Sequence, residues 1–352
     1  MKIRMMKQTF MMVVLLMVAV LYSCQSNKKT ELPDKLGVIF DTDVGSDIDD
    51  VFALQMVLNY DNQGKYDLLG VVISKDYPRV IDYVDGYCRL NGYDNLPLGY
   101  AYNGSDLGFN RQCGQYVCAT LDTVIDGKQI LPVKRTVADN IPEGYKMMRK
   151  ALASRADESV IIITVGFATN LARLLNSQPD EYSDLNGIEL VRKKVKLLSI
   201  MSGTYNDDTF NNPEWNVLQD LEAAKLVYEK WPSEVIASGS EVGVRILYPH
   251  QSVLNDYPNG EKHPLCVSYK LYEQMPYDRP CWDLTSVLYA IEPTDSHLDI
   301  SPRGKITIDD TGYSRFSESE NGKHRFLILN EANAPKVVEK LVSVCTRVPE
   351  FK

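Results

Sequence analysis

At 352 residues, with 44% apolar and 24% charged side chains, the chain has the composition of a soluble globular protein. That excludes wholesale disorder, collagen-like repeats and a small disulfide scaffold as descriptions of the whole. The formal charge of −9 repels phosphate backbones, which excludes general nucleic-acid binding.

Lys2, Arg4 and Lys7 form a basic head, followed by an apolar run from Phe10 to Leu21. The run is too short to span a bilayer comfortably and is laid out as a secretory signal. Leu21-Tyr22-Ser23-Cys24 resembles a bacterial lipobox, so residues 1–23 are expected to be removed and Cys24 lipidated. Residues 24–33 then serve as a polar tether, and 34–352 as a single domain. Gln25 stands where Asp commonly signals inner-membrane retention, which places this exported lipoprotein at the outer membrane. The membrane contact expected is the lipid anchor alone, since no later apolar run approaches about 20 residues. Six further cysteines match no zinc spacing. Cys113 and Cys118 are the expected disulfide pair, and Cys88 is expected in the core.

From residue 35 short apolar runs alternate with segments of helical period. Strands are expected at 36–40, 68–73, 160–165, 195–201 and 234–237. Helices are expected at 49–58, 79–90, 143–154, 170–175 and 220–231, with another starting near Asp283 and a last at 334–345. Apolar runs of this kind suit strands buried on both faces. The alternation predicts an α/β fold: a mostly parallel central sheet with helices on both faces. Residues 100–140 read as a long polar excursion, and 305–329 as a β-hairpin turning around 317–323.

The stretch Phe40-Asp41-Thr42-Asp43-Val44-Gly45-Ser46-Asp47-Ile48-Asp49-Asp50 packs five carboxylates between the first strand and the first helix. Ligands in open α/β sheets bind beyond the carboxyl ends of the strands. Carboxylates this crowded take up protons unless a cation is present. Oxygen ligands in a flexible turn suit Ca²⁺, or Mg²⁺ if waters complete the shell. Asp47, Asp49 and Asp50 also favour a helix N-terminus, but that leaves Asp41 and Asp43 at the strand end unexplained.

Strand-Asp-Thr-Asp-x-Gly followed by Asp-Asp and Ala53-Leu54 resembles the inosine–uridine nucleoside hydrolase family. The family turn is one residue shorter. Aligned on the helix, Asp49 and Asp50 match the family's aspartate pair and Asp47 is extra; aligned on the turn, Asp47 takes the first place. Three more blocks follow in family order: 163–171 (Ile-Thr-Val-Gly-Phe-Ala-Thr-Asn-Leu), Met201-Ser202-Gly203 with Pro213-Glu214-Trp215-Asn216, and Trp282-Asp283. The resemblance implies a Rossmann-like fold and an N-glycosyl hydrolase that releases ribose and free base from ribonucleosides or related ribosides, in purine or pyrimidine salvage. It implies Ca²⁺ held by Asp43, Asp50, Asp283 and the Val165 carbonyl, with Asp43 also the general base toward water. Asp49, Glu214 and Asn216 would bind the ribose and Trp215 and Trp282 the substrate, with Asp41 and Asp47 behind them. Core packing for the tryptophans, a turn for Glu214 and Asn216, and a helix cap for Asp283 are the plainer readings.

The chain departs from the family at one chemical point. Trp282 stands where a leaving-group histidine is usual, and His250, His263, His297 and His324 adjoin no matched block. Asp278 and Arg279 lie near enough in sequence to assist. Asp208 and Asn211 both suit a further family asparagine. The expected partner is a small nucleoside or riboside, with a homo-oligomer left open. Two rival readings remain: a lipoprotein that binds a riboside without cleaving it, and a phosphohydrolase with Asp41 as nucleophile.

Overall fold

The computed structural model describes residues 35–77, 79–105, 114–205 and 212–347. The expected signal segment, Cys24 and the tether lie outside the described residues, as do Asp34, Cys113, Asp208 and Asn211. No helix among the described residues is long and apolar enough to cross a membrane.

The first half of the chain runs β1 (Gly37–Thr42), α1 (Asp49–Asn62), β2 (Asp67–Lys75), α2 (Arg79–Leu90) and β3 (Leu98–Ser105). A short helix α3 (Ala119–Asp122) and a two-stranded ribbon, β4 (Val124–Ile125) with β5 (Lys128–Gln129), lead to α4 (Gly144–Ala153). Then follow β6 (Val160–Thr164), α5 (Thr169–Asn176), α6 (Gly187–Lys194), β7 (Val195–Met201), α7 (Trp215–Gln219), α8 (Leu221–Lys230) and β8 (Glu234–Ser238). The last third contains α9 (Ser240–Gly243), β9 (Leu247–Tyr248), α10 (His250–Asn255), α11 (Pro264–Tyr272), β10 (Arg279–Pro280) and α12 (Trp282–Ile291). It closes with β11 (Asp299–Ile300), β12 (Gly304–Ile308), β13 (Ser314–Glu318), β14 (His324–Ile328) and α13 (Ala334–Cys345).

Ten strands form one sheet, in the order β13-β12-β14-β8-β7-β6-β1-β2-β3 with β11 paired to β14. Every neighbouring pair from β14 to β3 is parallel. The α/β fold expected from the alternation is the fold observed. Along β1 the pleat sends Val38 and Phe40 into one core, with Leu54 of α1, Val84 of α2, Leu284 of α12 and Leu341 of α13. Ile39 enters a second core with Met148 of α4, Leu171 of α5 and Val227 of α8. Each fully buried side chain of this size contributes about 1.5–3 kcal/mol, so Phe40→Ala would cost roughly 3–5 kcal/mol. Cys88 is buried in the core as expected. Cys118 carries no disulfide, and its sulfur lies 3.2 Å from the Tyr77 hydroxyl.

Two expectations are corrected. The first six residues of the expected polar excursion, Tyr100 to Ser105, instead continue β3 along the edge of β2. The hairpin turns at 309–313 rather than around 317–323. There the Asp309 carboxylate accepts the N–H groups of Thr311 and Tyr313, at 2.9 and 3.1 Å, and Gly312 supplies a φ of 89°. The third run, β14, then buries Phe326 and Leu327 and pairs antiparallel with β12 and parallel with β8. Helix α6 was not anticipated, although Asn186 and Glu189 form a capping box at its start.

Candidate active site

Strand order reverses direction of growth between β1 and β6, so the loops after these strands diverge and leave a crevice. A cavity of about 370 Å³ lies there, lined by Asp43, Asp49, Asp50, Val165, Glu214, Trp215, Asn216, Trp282 and Asp283 among others. Thus the expected site residues from four separate blocks meet at one place. Asp47 also lines the cavity, whereas Asp41 does not.

The pleat of β1 sorts its two last side chains. Asp41, on the Ile39 side, is fully buried and accepts a hydrogen bond from Asn170 of α5 at 3.2 Å. Thr42, on the Phe40 side, donates to the carboxylate of Asp50 at the start of α1. Between them the chain must turn sharply, which Gly45 permits at φ 102°. Gly166, after β6, is required for another reason: a Cβ there would lie 2.6 Å from the Asp43 nitrogen.

Asp49 and Asp50 occupy the first turn of α1, and Asp283 that of α12. One carboxylate oxygen from each lies within 4.8 Å of the others. Asp49 rather than Asp43 completes this tight group. Its Oδ2 also accepts the N–H groups of Trp282 and Asp283, each at 3.1 Å, and so caps α12. Burial first, then repulsion from neighbouring aspartates (Asp47 on Asp49, Asp43 and Asp49 on Asp50, Asp49 and Asp50 on Asp283), holds these three pKa values well above the usual carboxylate range. Asp43 is pushed up to about 6 by burial, against a hydrogen bond from Ser46 and the charge of Lys75. Four buried acids that cannot all ionise beside one another are a donor set that suits a divalent cation.

Asn216 donates to the Val165 carbonyl at 2.8 Å, tying the β6 loop to α7. Glu214 caps α7, accepting the N–H groups of Asn216 (2.7 Å), Val217 (3.1 Å) and Gly203 (3.2 Å). Burial nevertheless lifts its pKa to about 7. Glu214 thus caps a helix, as the turn reading expects, and also lines the cavity. Trp215 is half-exposed at the mouth and Trp282 forms part of the wall.

None of the four histidines lines the cavity. His250 pairs with Asp278, His263 is buried, and His324 accepts the N–H of Ile306. Sequence reading missed Lys75, buried at the end of β2, whose Nζ donates to Ser46 at 3.0 Å. A charged residue closing an apolar strand was the available signal. It also missed Tyr272, which lines the cavity, and Tyr116, whose hydroxyl donates to the Asp47 carbonyl at 2.7 Å.

Fold and site together describe a doubly wound α/β protein with a carboxylate cluster suited to a metal at its switch point. The chain belongs to the inosine-uridine preferring nucleoside hydrolase family, whose model matches residues 38–339, and is thus an N-glycosyl hydrolase. The family is metal-dependent, in keeping with the acidic group found here. No curated protein matched the sequence. Among solved structures, an inosine-guanosine nucleoside hydrolase is similar at a TM-score of 0.66 and 18% identity, covering 90% of this chain and 99% of that one. A purine-preferring ribonucleoside hydrolase from Gardnerella vaginalis matches at 0.64 and 13%, covering 88% and 99%. The inosine-uridine preferring nucleoside hydrolase from Bacillus anthracis matches at 0.57 and 15%, covering 87% and 99%.

Proposed function

We propose that the protein is a Ca²⁺-dependent hydrolase of the N-glycosidic bond of ribonucleosides or close ribosides. The observation that carries this reading is the buried group Asp49, Asp50 and Asp283 beside Asp43, Glu214 and Asn216 in one cleft. Asp43, Asp50, Asp283 and the Val165 carbonyl would hold the ion. Asn216 already occupies one lone pair of that carbonyl, which leaves the other free. The ion, when bound, orients a water and lowers its pKa.

Asp43, with a pKa near 6, is ionised at neutral pH and takes the proton of the attacking water. Asp49, Glu214 and Asn216 bind the ribose hydroxyls, so that binding energy places C1′ against the water. Capping of α12 by Asp49 and of α7 by Glu214 fixes these carboxylates before substrate arrives. The pairing of Asp49 with Asp50 and Asp283, while Asp47 turns to Arg279, favours the alignment in which Asp47 is the extra residue. Trp282 and Trp215 offer aromatic faces to the base.

The test is a mass-spectrometric screen for free ribose and free base over purine and pyrimidine nucleosides with Ca²⁺. Release of both supports the reading. Tight binding without turnover across the panel would instead select a riboside-binding protein. Covalent phosphate on Asp41 would select the phosphohydrolase, a reading disfavoured by the complete burial of that side chain. We also propose that the enzyme is an outer-membrane lipoprotein anchored through Cys24. Cys24→Ala should release it from membrane fractions, and unchanged membrane association would refute the anchor.

A further inference from the structure

Breaking the glycosidic bond needs a place for the departing electron pair, and no imidazole stands in the cleft to supply a proton. The wall there is aromatic, with Tyr272 and Trp282 both lining the cavity. Arg279 does not line it. Its guanidinium lies 4.9 Å from the centroid of the Tyr272 ring and 5.2 Å from that of Trp282. Nη2 also donates to the Tyr272 hydroxyl at 3.1 Å.

This cation is held tightly. Nε donates to Asp47 Oδ1 at 2.9 Å and Nη2 pairs with Oδ2, a bidentate grip on the carboxylate that lengthens the acidic turn. Glu273 lies farther away, at 3.9 Å. The rings it touches are fixed as well. Trp282 donates from Nε1 to the Ser240 carbonyl at 3.0 Å, and a Cβ on Gly243 would come within 2.4 Å of its Cα. Tyr116 sets its ring edge-on to Tyr272, with centroids 5.7 Å apart, and its hydroxyl donates back to the Asp47 carbonyl. Asp47, Arg279, Tyr272 and Tyr116 close a loop that joins the metal-side turn to the leaving-group wall.

We infer that Arg279 is a positioning residue for the leaving group, which acts through the Trp282 and Tyr272 rings to favour negative charge on the departing base. The inference rests on the hydrolase reading above. A cation over a ring draws π-density toward itself, so the ring better accepts an electron-rich partner. The hydrogen bond from Arg279 occupies a lone pair of the Tyr272 oxygen and leaves its O–H free to donate. Burial raises the Tyr272 pKa, so the hydroxyl keeps that proton. In the step itself, the water oxygen bonds to C1′ and its proton passes to Asp43. The C1′–N bond breaks with its electron pair going to the base, which then takes a proton from solvent. Ribose and neutral base result. In this arrangement Asp47 serves the departing base through Arg279, while Asp49 and Asp50 serve the ion and the sugar.

The experiment compares Arg279→Met and Arg279→Lys with the wild-type protein, all loaded with Ca²⁺. Substrates are inosine, uridine and p-nitrophenyl riboside, whose leaving group departs as a stable anion. For Arg279→Met, kcat on the two nucleosides should fall about tenfold, between the size of an exposed and a fully desolvated cation–π contact, while the aryl riboside changes little. Arg279→Lys should recover part of the loss. Equal losses on all three substrates would show a merely structural role and overturn the inference, as would no loss at all. If Arg279→Met does not fold, Arg279→Lys carries the same comparison: a larger loss on nucleosides than on the aryl riboside supports the inference, and equal effects overturn it. Failure of the wild-type protein on every substrate would instead overturn the hydrolase reading.

Discussion

Asp85 and Asp283 are both fully or nearly fully buried aspartates, yet their surroundings push them in opposite directions. Asp85, on α2, accepts the N–H groups of Lys134 and Arg135 at 2.8 and 2.9 Å. It also accepts Nε of Arg135 at 2.6 Å and Nε of Arg89 at 2.9 Å. Burial alone would raise its pKa, but these four donors outweigh it and the carboxyl is held below its ordinary value. Asp283 faces Asp49, Asp50 and Asp43, and burial and like charge both drive its pKa up. Burial is shared; donors are not. A buried acid surrounded by donors ties loops together, whereas one surrounded by acids marks a place for a cation.

The comparison can be broken most forcefully at the site. Asp43→Asn should lower the rate of ribose release by about 10²–10⁴-fold, the usual worth of a general base. Circular dichroism should be unchanged, and Asp85→Asn should leave kcat intact in whatever fraction stays folded. Stability should respond the other way round. Asp85→Asn leaves the Arg135 guanidinium without its carboxylate and Arg89 with only the exposed Asp94, and should cost roughly 3–5 kcal/mol in urea denaturation. Asp283→Asn removes repulsion, so in chelator it should stabilise the fold by about 1 kcal/mol. The same variant should abolish the rise in Tm that Ca²⁺ gives the wild-type protein. A loss of stability in chelator would erase the contrast with Asp85.

Acidity sharpens the same contrast. Asp43 and Glu214 have folded pKa values near 6 and 7, above their ordinary values, so the folded state holds more protons than the unfolded chain. Their contribution is present at low pH and lost as pH rises through 6 and 7. In chelator, Tm should therefore rise as pH falls from about 7.5 to 5. With Ca²⁺ the trend should flatten, because protons and the ion compete for one group of oxygens. Below about 4 the opposite class takes over, as Asp85 and Glu292, the latter held down to about 2 by Lys340, Lys65 and Tyr60 against burial, begin to protonate. The smallest effect concerns Lys75, whose charge lowers the Asp43 pKa. Lys75→Met should move the acid limb of the kcat/KM profile upward, and a profile that stays in place would remove Lys75 from the electrostatics of the base.

Much of this was legible in one dimension. Alternation of apolar runs and helical periods requires a layered α/β fold, because each run is too apolar to leave either face in water. The run Asp41 to Asp50 lies at a strand end whatever the tertiary structure, so its place in a crevice followed from local order. Turn chemistry was less legible. The run 305–329 held three strands rather than two, since the Asp309 and Gly312 turn is a matter of a few hydrogen bonds and one positive φ.

What the sequence could not determine is which side chains meet across long separations. Asp47 and Arg279 lie 232 positions apart and pair only because the β1 turn and β10 converge. Asp49 finds the start of α12 and Lys75 finds Ser46 in the same way. Local propensity and periodicity act over a few residues, so they place a carboxylate at a strand end or a helix start. Whether that carboxylate then meets an arginine, as Asp47 does, or other acids, as Asp49 and Asp50 do, depends on which loops the sheet brings together. Its ionisation, and with it its role, was therefore decided by the tertiary structure alone.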